Sequence, residues 1–209
     1  QQKFDGMTLK HQMDIDEQVY IGDATTGDTG LVNSSFVTNT SNVAVGALGG
    51  TPCNMKTPAE ILADVNAAIT SVWTASAFAA MPDRILLPPL SFGYAVSQMM
   101  SIGGVGGSQS ILKFIMENNI VTTQGAGTLG IFPQKWCVGA SPGGTIGVND
   151  GHGRMVVYKK EKSKVRFPMT LLQRTPVQFE SIYHKTTYYC RLGRVEVPYP
   201  ETIGYFDGL

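Results

Sequence analysis

TPAEILADVNAAITSVW, residues 57–73, is the strongest local structural signal in the chain. Thr57 is a good helix cap, Pro58 suits the first helical position, and Glu60 stands where a capping box needs its acidic partner. Behind this cap, apolar residues recur at three- and four-residue steps, which is the spacing of one helical face. The stretch therefore predicts a helix that runs to about Ala75 and packs one apolar stripe into a core: Ile61, Leu62, Val65, Ile69, Val72 and Trp73.

The residues around this helix alternate between extended and helical signals. Residues 85–87, Ile-Leu-Leu, form a short apolar run that is typical of a buried strand. Helices are predicted over residues 90–100 and 108–119, and the glycines between them (103, 104, 106 and 107) predict a turn. Upstream, residues 4–20 carry apolar side chains at helical spacing and predict a helix that stops at Gly22. This succession describes an α/β or α+β layer.

The chain is rich in β signals from Arg154 onward. RMVVYKK, residues 154–160, predicts a strand, and KVRF, residues 164–167, is expected to be its partner. Residues 183–197 combine alternation with aromatic content, which predicts a long strand or a hairpin. A loop is expected between a strand at residues 135–139 and the strand that begins at Arg154.

Composition limits the classes of function. The chain has 209 residues, of which 43% are hydrophobic and 15% charged, so it is globular and forms one large domain or two small ones. The formal net charge is zero, which argues against an electrostatic grip on nucleic acid or an anionic membrane. Low charge combined with 24 glycines favours surface that is buried against other subunits. The longest apolar region, residues 61–81, contains Asp64 and is expected to be a core helix and its exit, not a membrane span.

The distribution of cysteine and histidine gives no catalytic or metal signal. The three cysteines lack a C-x-x-C pair, and the three histidines are scattered. This pattern predicts neither a disulfide framework nor a metal site. No catalytic, cofactor-binding or metal-ligating residue is therefore predicted, and no cofactor.

One motif nevertheless resembles a catalytic one. Gly139, Ser141 and Gly143 satisfy the G-x-S-x-G pattern of a serine hydrolase, and Asp150 and His152 follow in triad order. Pro142 argues against catalysis, because the residue after the nucleophile must donate its backbone N–H to the oxyanion hole and proline has none. The glycines that follow predict turns where the motif needs a helix. A serine hydrolase that uses Ser141 therefore remains a weak alternative.

The order of segments resembles the major capsid proteins of tailed phages and prophages with the Hong Kong 97-type fold. The resemblance rests on GDATTGDTGLVN (22–33), the helix at 57–73, PDRILLPPLSFGYAVS (82–97), SILKFIMENN (110–119), GRMVVYKK (153–160) and VEVPYPETIGYFDGL (195–209). It implies an α+β subunit with an axial and a peripheral domain. It also implies that the N-terminal arm and the extended loop of the family are missing, so that the chain is a fragment or a processed product.

The resemblance places the domains as follows. Residues 1–56 would hold the end of a spine helix with peripheral strands and loops, residues 57–155 the axial domain, and residues 156–209 the strands that return to the peripheral domain. The implied function is that of a structural subunit, not an enzyme. It would assemble with itself into pentamers and hexamers of an icosahedral virion capsid that encloses double-stranded DNA.

Partners and location follow from the same resemblance. Scaffolding and portal proteins would be partners, DNA would be contacted weakly and without sequence specificity, no membrane would be involved, and assembly would take place in the cytoplasm of the bacterial host. Two alternatives remain. One is an encapsulin-type nanocompartment shell, which has the same fold, and the other is a tail or adaptor protein of the same virion.

Charged residues supply candidate contacts between subunits. The run KKEKSKVR, residues 159–166, is most simply a solvated hairpin turn. In a shell it could instead meet the acidic residues of the first helix on a neighbouring copy. The predicted contact residues are Lys159, Lys160, Lys162, Lys164 and Arg166 on one side and Asp14, Asp16 and Glu17 on the other.

Overall fold

A computed structural model describes residues 2–102, 105–125 and 127–209 of the chain. The chain divides into two compact units. The smaller unit contains Gln1–Leu31 and Arg166–Glu196, and the larger one contains Val32–Val165 and Val197–Leu209. The predicted boundaries at residues 56 and 155 differ from this division, because residues 32–56 and 197–209 cluster with the larger unit.

The described residues form five α-helices and eleven strands. The helices are α1 (Gln2–Tyr20), α2 (Pro58–Ala75), α3 (Pro89–Ser97), α4 (Ile111–Glu117) and α5 (Ile120–Thr123). The strands are β1 (Thr40–Asn42), β2 (Arg84–Leu87), β3 (Met99–Ile102), β4 (Val105–Ser110), β5 (Gly130–Pro133), β6 (Arg154–Tyr158), β7 (Gln173–Arg174), β8 (Gln178–Glu180), β9 (Tyr183–Lys185), β10 (Tyr188–Tyr189) and β11 (Ile203–Asp207). Short 3-10 turns lie at Cys53–Met55, Lys135–Cys137 and Pro200–Thr202.

A five-stranded mixed sheet organises the larger unit. Its strand order is β1-β11-β6-β2-β5, so β1 and β5 are the two edges. β6 lies at the centre and is antiparallel to both β11 and β2, while β1 is parallel to β11 and β5 is parallel to β2. Strands from the middle and from the end of the chain therefore share one hydrogen-bonded layer.

α2 supplies the helical side of the core in the larger unit. Its buried residues Ile61, Val65, Ile69 and Val72 belong to the same apolar cluster as Ile85 of β2, Val157 of β6 and Phe206 of β11. Full burial of an aliphatic side chain contributes roughly 1.5–3 kcal/mol to the free energy of unfolding. The predicted apolar stripe of this helix is thus confirmed as a core face at these four positions, and Leu62 packs against the cluster. Trp73 lies outside the cluster and contacts Phe78 instead.

The capping box that begins α2 is formed as predicted. The Thr57 hydroxyl accepts from the Glu60 backbone N–H at 3.4 Å, and the Glu60 carboxylate accepts from the Thr57 backbone N–H at 2.7 Å. Hydrogen bonds from the N–H groups of Thr57 and Ala47 lower the pKa of Glu60 below its ordinary value. Because the folded pKa lies below the unfolded one, this stabilisation is present above the unfolded pKa and is lost as the pH falls through the folded pKa.

The smaller unit combines α1 with one long antiparallel ribbon. Pairings of β7 with β10 and of β8 with β9 are extended by bridges between Met169 and Leu192 and between Arg166 and Glu196. Residues 166–180 and 183–196 are therefore the two arms of a single ribbon. α1 lies along the base of this ribbon, where the Phe4 and Tyr188 rings are 5.4 Å apart and the Gln18 side chain donates to the Gly193 carbonyl at 3.3 Å.

Two predicted helices are shorter than expected. The helix predicted over residues 90–100 ends at Ser97, because Gln98 is extended and Met99 begins β3. The helix predicted over residues 108–119 begins only at Ile111, where the Ser110 hydroxyl caps it, and ends at Glu117. Of the glycines predicted to form a turn, residues 106 and 107 belong to β4, whereas residues 103 and 104 lie outside the described residues.

Two predictions of β-structure were wrong. KVRF does not pair with RMVVYKK: β6 pairs instead with β11 and β2, and Arg166 bridges to Glu196. The strand expected at residues 135–139 is a 3-10 turn at Lys135–Cys137 that follows β5. Residues 183–197 were predicted to be a long strand or a hairpin: they form no hairpin of their own, and residues 183–196 are one extended arm of the ribbon, whose other arm begins at Arg166.

Replacing the cap of α2 tests the role of the capping box. We expect Thr57→Ala to lower the free energy of unfolding by about 1 kcal/mol, because the Glu60 N–H loses its acceptor. Thr70→Ala is a matched control, since Thr70 is exposed within the same helix and alanine is the better helix former. Urea unfolding of both variants measures the difference, and equal stability of the two would contradict the assignment.

Candidate functional site

The glycine-rich loop that joins the 3-10 turn at Lys135–Cys137 to β6 holds Ser141. Four of its glycines adopt the left-handed conformation at regular intervals: Gly139, Gly143, Gly147 and Gly151. An alanine Cβ at Gly139 would lie 1.9 Å from the Thr145 carbonyl oxygen, so this turn requires glycine. The loop is thus a chain of turns, as the sequence predicts, and no helix follows Ser141.

The hydroxyl of Ser141 is committed to a structural contact. It is buried, with its Oγ 2.7 Å from the Gly153 carbonyl oxygen and 3.0 Å from the Asp207 carboxylate. The Asp150 carboxylate accepts from the backbone N–H groups of Thr145 and His152, at 2.8 and 3.1 Å. These contacts do not bring Ser141, Asp150 and His152 together as a catalytic triad, in which the serine hydroxyl must bond to the histidine ring.

The partner of Ser141 belongs to a buried ion pair at one end of the central strands. Arg154 begins β6, Asp207 ends β11, and the two residues are partners in the register of the sheet. The guanidinium donates to both carboxylate oxygens, at 2.6 and 2.9 Å, and its remaining nitrogen donates to the Val32 carbonyl at 2.9 Å. This two-point geometry is the strongest arrangement for an arginine and a carboxylate.

The Tyr205 side chain closes this network. The Arg154 guanidinium lies 4.5 Å from the centre of the Tyr205 ring, and the Tyr205 hydroxyl accepts from the Ser34 backbone N–H at 3.0 Å. Burial raises the pKa of the Tyr205 phenol, and burial likewise raises the pKa of the Cys137 thiol to about 12. Both groups therefore stay protonated at neutral pH.

A second buried ion pair lies on the core side of α2. Lys56 Nζ is 2.5 Å from the Asp64 carboxylate, and the two side chains are 1% and 13% exposed. A lysine this deeply buried needs a charged partner. This pair was not predicted from the sequence. A usable signal was present, because Lys56 directly precedes the helix cap and Asp64, eight residues later, falls on the apolar side of the helix.

The eight charged residues predicted to contact neighbouring copies are partly engaged within their own chain. Lys159 lies 3.2 Å from Asp83, Lys164 lies 4.3 Å from the centre of the Tyr199 ring, and Arg166 lies 2.5 Å from Glu196. Asp14 forms an i,i+4 ion pair with Lys10 on α1. The candidates that remain available to a neighbouring copy are therefore chiefly Lys160 and Lys162, while Glu17 already interacts electrostatically with Lys10 on its own helix.

Large apolar side chains are exposed on the ribbon. Leu171 is exposed nearer the base of the ribbon, and those at and near its tip are Val177, Phe179, Ile182 and Tyr183. The exposure of these residues was not predicted from the sequence, because alternation within a β segment does not show which of its two faces is covered. Among the described residues there is no group of three or more possible metal ligands and no helix that is long and apolar enough to cross a membrane.

A family model described as "Major capsid protein" matches residues 1–209, which is the whole chain. The chain belongs to the major capsid protein family. The comparison with curated proteins found no match.

Solved structures support the same fold for this capsid family member. A chain of the capsid of Myoviridae phage XM1 superposes with a TM-score of 0.74 at 16% identity, over 100% of this chain and 64% of that one. The holo-SrpI encapsulin complex from Synechococcus elongatus PCC 7942 superposes with a TM-score of 0.51 at 13% identity, over 98% of this chain and 63% of that one. The predicted α+β fold of the Hong Kong 97 type is therefore confirmed, and the chain spans less than two thirds of either structure.

Breaking the Arg154–Asp207 pair should lower the free energy of unfolding of this capsid family member. Asp207→Asn keeps the shape of the side chain but leaves the Arg154 charge buried without its counter-charge, which should cost about 3–5 kcal/mol of unfolding free energy. Glu196→Gln is the control, because it breaks an Arg–carboxylate pair whose side chains are 54% and 38% exposed. A loss of at most about 1 kcal/mol is expected there. If urea unfolding gave similar losses for both variants, the central role of the buried pair would be refuted.

Proposed function

We propose that the chain is the shell-forming subunit of a tailed bacteriophage or prophage, and that it assembles with copies of itself into an icosahedral capsid around double-stranded DNA. The observation that carries this proposal is the match of the major capsid protein model to every residue of the chain. The superposition on a Myoviridae phage capsid over the full chain supports it. In this proposal the protein is structural and has no catalytic role.

The physical character of the surface fits a shell wall. A net charge of zero suits a wall that encloses DNA without trapping it, since tight phosphate binding requires clustered lysine and arginine. Exposed apolar side chains on the ribbon provide area that subunit contacts can bury. Stable closed assemblies then arise from many modest contacts that repeat by symmetry.

We assign the larger unit to the axial domain and the smaller unit to the peripheral domain, with α1 as part of the spine helix. Pentamers and hexamers are the expected building blocks of the shell. Scaffolding and portal proteins are the expected partners during assembly in the cytoplasm of the bacterial host, and the virion capsid is the final location.

The proposal is tested by electron microscopy of the protein that is expressed from the complete open reading frame encoding the chain. We expect closed icosahedral shells when the protein is expressed alone or with a scaffolding partner. Nucleic acid inside shells from infected or induced cells would support the capsid. An enzyme as cargo would support the encapsulin-type alternative, for which the superposition is weaker, with a TM-score of 0.51. Rings or tubes would indicate a tail or adaptor protein, and small oligomers under every condition would reject a shell.

Charge reversal tests the predicted contacts between copies. Lys160→Glu combined with Lys162→Glu should slow assembly, because each ion pair lost at an exposed contact weakens it by up to about 1 kcal/mol, roughly fivefold in binding constant. Adding Glu17→Lys to the same chain should restore assembly if α1 of a neighbour is the partner. Light scattering during assembly measures the rate, and an unchanged rate in the double variant would eliminate these lysines as contacts.

A further inference from the structure

The tip of the ribbon carries apolar side chains that its own chain leaves uncovered. β8 and β9 are joined by the two-residue turn Ser181–Ile182, with Ser181 in the left-handed conformation at φ 57°. Phe179, Ile182 and Tyr183 are 78%, 82% and 70% exposed. α1 contacts the ribbon nearer its base, at Tyr188 and Gly193. A two-stranded ribbon of this kind is marginally stable in water without packing on one face.

The two faces of the tip differ in chemistry. The register pairs Phe179 with His184, and their rings are 4.8 Å apart, so both lie on one face, called here the aromatic face. Tyr183 pairs with Glu180, and Lys185 Nζ lies 3.5 Å from the Glu180 carboxylate. These three residues, together with Gln178 opposite Lys185, form the opposite face, called here the charged face.

The charged face complements the aromatic face. Lys185 supplies a cation that is attracted to the ring of a phenylalanine, and Glu180 supplies an acceptor for a histidine N–H. Tyr183 supplies a second ring that can pack edge-to-face on Phe179. Within one copy the groups of each face contact one another, Phe179 with His184 and Glu180 with Lys185. Because the two faces point in opposite directions, one copy cannot place its own aromatic face on its own charged face, but the tip of a second copy can.

The size of the tip argues for copies of this chain and not for a separate tight-binding partner. Phe179, Ile182 and Tyr183 would each bury roughly 100–200 Å², so the three together offer about 300–600 Å². A stable one-to-one interface buries about 800 Å² on each partner. A contact of this size holds only where symmetry repeats it.

We propose that the aromatic face of one ribbon tip packs on the charged face of the tip of a neighbouring copy. The contact is head-to-tail: Phe179 and His184 of one copy meet Tyr183, Glu180 and Lys185 of the next. A head-to-tail contact that closes produces a ring of copies. This inference rests on the proposed shell function and names one surface through which it would operate.

Disulfide trapping between two different variants tests the contact. Phe179→Cys and Tyr183→Cys are prepared separately in the complete protein with Cys190→Ser, because the other two cysteines are buried. Both substitutions are at exposed positions and leave the core unchanged. The two proteins are mixed during assembly, oxidised, and analysed by non-reducing electrophoresis and peptide mapping. Phe179→Cys mixed with Leu48→Cys, which is 73% exposed and outside the ribbon, sets the background.

The expected result is a disulfide between positions 179 and 183 that forms in the mixture at least about tenfold above that background, and not in either variant alone. Dimers of Phe179→Cys alone would overturn the head-to-tail arrangement, because they require like faces to meet. Cross-linking at background level in assembled shells would overturn the tip contact while leaving the shell function intact. Failure of the unsubstituted protein to form shells counts against the proposed function separately, since the trapping is still read in the oligomers that are present.

Discussion

The buried ion pair between Arg154 and Asp207 is the constraint on which the larger unit depends. Two charges removed from water are tolerated only when their geometry is good and the remaining hydrogen-bonding groups find partners. Those partners come from segments far apart in the sequence: the Val32 carbonyl, the Ser141 hydroxyl and the Tyr205 ring. The requirement to satisfy one guanidinium therefore brings the segment before β1, the glycine-rich loop and the last strand to the same end of the sheet.

The two units are stabilised in different ways. The larger one buries a continuous apolar cluster between α2 and the mixed sheet, so its stability comes mainly from its own core. The smaller one is a long two-stranded ribbon with a single helix along its base, and much of the apolar surface of that ribbon remains exposed. The larger unit therefore folds on internal packing, whereas the smaller unit keeps apolar surface that the proposed contacts with neighbouring copies would bury.

Sequence alone predicted those elements that local chemistry determines. α2 was predicted from its cap to its last turn because Thr57, Pro58 and Glu60 act within one turn of helix. The partner of β6 was predicted wrongly, since nearness in sequence favoured KVRF whereas the register with β11 joins residues about fifty positions apart. The role of Ser141 followed the same pattern: the local glycines correctly predicted turns around it, but nothing local indicated Asp207 as the partner of the hydroxyl. The exposed tip was missed because a two-residue period cannot tell a covered face from an open one.

The two edges of the mixed sheet limit how copies of the chain can join. β1 is only three residues long, all of them polar and exposed, and β5 ends in Pro133, which has no N–H to offer to an additional strand. Strand addition at such edges is poor, and strand addition is the route by which crowded β-proteins grow into fibres. In the shell proposed above, where copies of the chain would meet repeatedly, such edges favour side-chain contacts, which can form closed assemblies, over backbone pairing, which can extend indefinitely.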